Sequence, residues 1–308
     1  MWVFPLVFVG FAILAGLWPF HTWAPTGHVA APTAASMLLA GVVMKLGAYG
    51  CLRVAMTLFP GGLDPWEFHV LGLSSWRDVL GLLAVIGIVY GALVALVQRD
   101  FKFVIGYSSV SHMGFVLLGL MTLTQIGLGG AVLQMFSHGI IAGLLFAVVG
   151  RMVYDRTHTR ELSELGQMDL GRVLPFAAVT FTLASVASMG LPGFSGFVAE
   201  LQVLIGAWHA FPTLTVITGI GILVGVAYTL RVLQQVFFAD QPGGEVSAAT
   251  VGNGHGALKP ITVPERLGAL ILIGISLIIG VYPRLLMDWI LPSFNSPLFE
   301  GLFKGGRP

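Results

Sequence analysis

The chain has 308 residues, 56% of them hydrophobic and only 9% charged, with a formal net charge of +1. A soluble domain carries about a quarter charged residues, so this chain cannot cover itself with a water-facing surface. The absence of a basic stripe excludes nucleic acid as a partner, and the single Cys51 excludes an internal disulfide and a cysteine-based metal cluster.

Taken in chain order, the apolar runs predict about eight crossings of the ~30 Å hydrocarbon layer. The first covers about residues 1–30, and its opening, MWVFPLVFVGFAILAG, lacks the basic region and cleavage site of a signal peptide. Gly16 to Pro19 interrupt it. Four runs follow at about 32–54, 78–98, 103–123 and 126–151. The sixth, about 173–209, is interrupted by SMGLPGFSGFVAE, Ser188 to Glu200. The last two run at about 212–238 and 266–290. Loop 55–77 separates two spans, and loop 239–265 contains a Gly-rich stretch read as flexible. The fold class is all-α, a polytopic transmembrane helical bundle in one domain, 1–308, with two crossings broken at midplane.

Orientation follows from lysine and arginine placement. If the spans alternate, Arg99, Lys102, Arg151, Arg156, Arg160, Arg172, Lys259 and Arg266 share one side. That side is cytoplasmic, which puts both termini of the chain outside. Loop 151–172 is the densest charged segment and is expected to carry a short surface helix.

A helix break exposes backbone groups that lipid cannot satisfy, so it is tolerated only inside protein or along a wet cavity. Paired breaks are the pattern of inverted-repeat transporters, whose broken helices face the transported ion. A proline such as Pro192 often only kinks a packed helix. Glu200 in the same span shifts the balance, because a membrane-centred charge costs at least ~2.5 kcal/mol and marks a pathway by default.

Glu200 has company. Lys45 lies 13 residues beyond Pro32, about 20 Å into its span. His112 lies nine residues past Phe103, about 14 Å deep, and His138 lies 12 past Ile126, about 18 Å deep. Each histidine alone reads more readily as a hydrogen-bonded packing residue, and a lysine can snorkel; Arg53 already marks the end of the Lys45 helix. Together these groups can pass protons along waters. Tyr107, Ser108, Ser109, Ser111 and Gln134 are the side chains that could hold such waters. Arg231, on the next run, is the partner for Glu200 if that carboxylate is structural. Metal binding fits worse, since no thiolate or carboxylate stands at ligand spacing from the histidines. Nucleotide-binding glycine patterns are missing as well.

Four segments carry a resemblance: WPFHTWAPTGHVAAPTAASMLLAGVVMKLGAYG (18–50), RDFKFVIGYSSVSHMGF (99–115), RTHTRELSELG (156–166) and MGLPGFSGFVAE (189–200). In this order they closely resemble the antiporter-like proton-translocating subunits of respiratory complex I, of the subunit M (chain 4) type. The resemblance implies a fold of fourteen helices with two inverted five-helix repeats. This chain matches the part from the seventh helix onward. Residues 1–54 then keep the end of the first repeat, 78–238 form the second, 266–290 the final helix and 291–308 a tail.

The resemblance also implies roles. Lys45, His112, His138 and Glu200 match the family's proton-path residues, with Lys102, His28 and Pro192 as further candidates. The family's lysine before the first break falls at Leu14, and two carboxylates of its motifs are Thr26 and Ala30 here. The implied function is proton translocation within a complex I-like NADH:quinone oxidoreductase of a bacterial plasma membrane. NADH, FMN, iron–sulfur clusters and quinone would lie in other subunits, with neighbouring antiporter-like subunits and lipid as partners and no cofactor or metal in this chain. A sodium/proton antiporter subunit and a non-transporting scaffold or fragment are the alternatives.

Overall fold

The computed structural model describes residues 2–66, 73–239 and 258–303. Much of the Gly-rich loop expected to be flexible, 240–257, and the end of the tail, 304–308, lie outside the described residues.

Among the described residues, six helices are long and apolar enough to cross a membrane: α3 (Thr33–Met56), α4 (Trp76–Val97), α5 (Phe101–Met121), α6 (Gln125–Thr157), α11 (Pro212–Phe237) and α12 (Val263–Val281). Two further runs are broken. The first consists of α1 (Val3–Ala15) and α2 (Trp23–Ala30), the other of α9 (Pro175–Ser188) and α10 (Ser195–Ala210). Between α6 and α9 the charged loop carries two short helices rather than one, α7 (Leu162–Leu165) and α8 (Leu170–Val173). The final run, expected as one helix over 266–290, divides into α12 and α13 (Arg284–Ser293). Pro283 causes the division, because a residue preceding proline is pushed out of the helical region, and Tyr282 has φ −127° and ψ 71°.

Local chemistry sets the helix starts. Ser75 accepts from Asp78 N, Asp100 from Lys102 N and Phe103 N, and Thr124 from Gly127 N, each satisfying orphan amides of a first turn. Thr262 and Glu265 form a capping box on α12. Pro175 and Pro212 open α9 and α11, where a missing N–H costs nothing.

In a bilayer, helices associate through close packing and hydrogen bonds rather than a hydrophobic drive. Gly130 of α6 shows this: a side-chain carbon there would lie 2.7 Å from Val203 N of α10. The close crossing brings Gln134 and Ser137 of α6 against α10. Buried apolar residues form two large clusters. One contains Phe101, Phe146, Phe181 and Phe237, the other Phe4, Phe8, Met44 and Ile88. On α5 and α6 the clusters meet around His112 and His138, so the buried polar groups occupy a slab between two apolar layers.

One end of the bundle gathers the charged loops. Phe101 N donates to Arg160 O at 2.8 Å and Leu162 N to Arg99 O at 2.9 Å. Arg160 pairs with Asp100 at 3.3 Å and Arg156 with Glu265 at 2.7 Å. Arg156 also donates to the carbonyls of Lys259 and Pro260, clamping the chain ahead of α12 onto the end of α6. Arg156→Ala removes these bonds but leaves Glu265 paired with Arg151 at 2.9 Å, so it should cost about 1–2 kcal/mol, the order of the lost hydrogen bonds. A lowered thermal unfolding midpoint in detergent would register this; an unchanged midpoint would show that the clamp contributes nothing.

Candidate functional site

The second break has a geometric cause. Gly190 and Gly193 have φ of 73° and 106°, values that side-chain-bearing residues rarely adopt. Between α9 and α10 the chain turns with Leu191 N bonded to Val186 O and Phe194 N to Leu191 O. Pro192 is exposed in this linker, and the structure does not bring it to the buried polar groups. At the first break, the Trp23 indole donates at 2.8 Å to the Ile13 carbonyl, which also accepts from Gly16 N at 3.0 Å.

The break places Glu200, buried, on the second turn of α10. Its Oε1 lies 3.1 Å from His112 Nδ1 of α5 and accepts from Gln134 Nε2 of α6 at 3.2 Å. His112 Nε2 lies 3.1 Å from Ser188 Oγ, the last residue of α9. The His112 ring faces His138, 5.3 Å between centroids and tilted by 31°. His138 Nδ1 lies 2.8 Å from Lys45 Nζ of α3. Lys45 also donates to the Ala40 carbonyl, just inside a stretch of wider π-helical turns, Leu39–Val43. Such turns redirect backbone carbonyls and occur often at functional sites.

The four deep residues thus form one row, Lys45–His138–His112–Glu200. They come from four helices, and each neighbouring pair is in contact. Glu200 does not meet Arg231, whose guanidinium donates to the Leu96 carbonyl instead.

The remaining candidates extend the row toward the charged end. Lys102 Nζ donates to the Ala31 carbonyl at 2.8 Å and to Ser36 Oγ at 3.2 Å. Ser36 in turn donates to the His28 carbonyl at 2.8 Å. The His28 ring stacks on Phe146 at 4.5 Å, within electrostatic reach of Lys45 and Lys102. Among the described residues, neither His28 ring nitrogen has a protein partner; a buried polar atom in that state is commonly met by water. A cavity of about 880 Å³ lies beside Lys102, Arg151, Asp155 and Arg160. Leu14 is half-buried in α1, where the resemblance led one to look for a lysine.

Of the expected water-holding side chains, three have other partners. Ser108 accepts from Tyr228, Ser111 donates to Ile88 O, and Gln134 donates to Glu200. Ser109 Oγ and Gln134 Oε1 are buried without a protein partner among the described residues. No group of three or more His, Cys, Asp or Glu among the described residues is arranged to hold a metal ion.

The family model described as "NADH:quinone oxidoreductase/Mrp antiporter, TM" matches residues 1–225. The chain belongs to this family. NADH-quinone oxidoreductase subunit M of Rickettsia prowazekii (strain Madrid E) is 40% identical over 240 residues, 78% of this chain and 46% of that protein. The protein of the same name from Rhodobacter capsulatus is 39% identical over 291 residues, 94% of this chain and 52% of that protein. A chain of respiratory complex I from Thermus thermophilus with bound NADH superposes with a TM-score of 0.82 at 30% identity. That match covers 98% of this chain and 58% of the other. The chain therefore spans about half the length of the curated relatives it matches. Family membership and the apolar helices make it a multi-pass membrane protein.

Two features of this family member were not legible in its sequence. Ser188 bonds the far side of His112, although its place beside the break was a cue. The other is the approach of Gly190 to Glu200: a side-chain carbon at Gly190 would lie 2.9 Å from Oε2. Gly190→Ala should therefore strain the turn and displace the carboxylate together, costing about 1–3 kcal/mol for the backbone alone. The check is a thermal midpoint on the purified variant; wild-type stability would show that the turn tolerates a side chain.

Proposed function

We propose that this chain is a proton-translocating membrane subunit of a complex I-like NADH:quinone oxidoreductase. The observation that carries the reading is the row of four titratable side chains from four separate helices, set between two apolar layers with Lys45, His138 and Glu200 buried. Buried ionisable groups in a membrane are costly and are kept where they serve a pathway. In this reading protons enter at the charged end, from the cavity beside Lys102, and pass His28 to reach Lys45 and His138. The ring-to-ring step to His112 is crossed by ring rotation or through one water. Glu200 receives the proton and releases it at the second break.

The donors around Glu200 favour a proton over sodium as cargo. Its Oε1 meets a histidine nitrogen and an amide nitrogen, whereas hard cations are held by sets of oxygen ligands. The charged end faces the cytoplasm of a bacterial cell, with both termini of this chain outside. The redox groups (NADH, FMN, iron–sulfur clusters and quinone) belong to other subunits, and adjacent antiporter-like subunits and lipid cover the outer faces of α11 and α12. The segment 78–238 acts as the complete five-helix repeat, joined to the end of another in 1–54.

His112 is the group that links both halves of the row, and its replacement tests the reading. His112→Gln retains hydrogen bonding to Glu200 and Ser188 but cannot carry a proton from His138 to Glu200. In the assembled complex, electron-driven proton uptake by inverted vesicles should fall by roughly 10²-fold, the order expected for loss of a proton-transferring group. Wild-type uptake with normal assembly would refute the row as the path.

A further inference from the structure

α12 lies beyond the 1–225 family match, yet it packs directly on the second break. A side-chain carbon at Gly280 would fall 2.5 Å from Phe194 Cα and would overlap the Gly193 carbonyl. One turn earlier, Ser276 Oγ lies 3.0 Å from Ser195 Oγ, and Ser137 Oγ donates to Ser195 Oγ at 2.5 Å. All three hydroxyls are buried. A hydroxyl can donate one hydrogen bond and accept two, so Ser195 can serve both neighbours.

The positions of these serines give the chain a consequence. Ser195 is the first residue of α10, and Glu200 follows five residues on, about 7.5 Å along the axis. Ser137 precedes His138 in α6. Glu200 meets its partners at 3.1 and 3.2 Å, at the long end of the hydrogen-bond range. A displacement of α10 by a few tenths of an ångström would part them.

We propose that Ser276 and Gly280 of α12 are positioning residues for Glu200. Gly280 admits the linker backbone against α12, and Ser276 fixes the start of α10 through Ser195, which sets the carboxylate within reach of His112 and Gln134. The proposal rests on the proton-path reading for its functional consequence, but its geometric part stands apart from it.

The test uses the assembled complex carrying Ser276→Ala, Ser276→Thr or Gly280→Ala. Two quantities are read: the infrared bands of the Glu200 carboxyl, identified by their loss in Glu200→Gln, and electron-driven proton uptake. Ser276→Ala should shift the bands and lower uptake roughly fivefold, the scale of one hydrogen bond. Ser276→Thr restores the hydroxyl and should restore both. Gly280→Ala should shift the bands further; if it fails to assemble, the Ser276 pair decides. Unshifted bands in assembled Ser276→Ala would overturn the proposal. If Glu200→Gln pumps normally while Ser276→Ala still shifts the bands, the proton path fails and the positioning role survives.

Discussion

Glu200→Gln should assemble normally and lose proton delivery by roughly 10²-fold or more, the scale set by general acid–base groups. Glutamine has nearly the same volume, and its amide can still engage His112 and Gln134, so packing around the break is kept. What it cannot do is bind and release a proton. Glu200→Asp withdraws the carboxylate by one methylene, about 1.5 Å, from partners that already lie at 3.1 and 3.2 Å. It should retain partial activity, since the proton can still be held but not passed over a direct hydrogen bond. The measurement is proton uptake per electron transferred, with a native gel on the same membranes for assembly. Glu200→Gln at the wild-type rate would make the carboxylate a packing partner of His112 and Gln134. A pairing with Arg231 cannot take over that role, because the Arg231 guanidinium is turned to the Leu96 carbonyl.

Helix positions were legible to within a few residues because they depend on local quantities. The run at 78–98 became Trp76–Val97 and that at 103–123 became Phe101–Met121. Two runs departed: that at 126–151 continues as helix to Thr157, and in the final run the apolar residues past Pro283 masked a division that the proline itself could have signalled. Arithmetic on the helical rise placed Lys45, His112 and His138 well along their runs, and the structure joins them in one row. Their pairing was not legible. His112 and Glu200 are 88 residues apart and Lys45 and His138 are 93 apart, and which faces meet depends on how each helix is rotated. The serine chain is the extreme case. Ser137, Ser195 and Ser276 look like ordinary small residues in apolar runs, and only the crossing of three helices makes them neighbours. Pro192 erred in the opposite direction: conspicuous in the sequence, it is an exposed linker residue, and the glycines on either side set the turn.

Lys45→Ala should leave the complex assembled and lower proton pumping by roughly 10²-fold. The amine sits in a hydrogen bond of 2.8 Å to His138 Nδ1, so one proton can reside on either nitrogen. That exchange is the step the row needs between α3 and α6. Alanine removes the amine and leaves His138 facing an enlarged space beside a groove of about 550 Å³ between α3 and α6. Lys45→Met refines the test, because it fills the volume without the nitrogen and separates packing from proton transfer. Lys45→Arg keeps the charge and the donors, but guanidinium does not release its proton at working pH, so it should be only partly active. His138→Leu should cost about as much as Lys45→Met, and the double variant should cost little more than either. Two groups acting in series fail as a unit rather than additively. Full additivity would place Lys45 and His138 on separate routes, and normal pumping in Lys45→Met would remove the lysine from the path altogether.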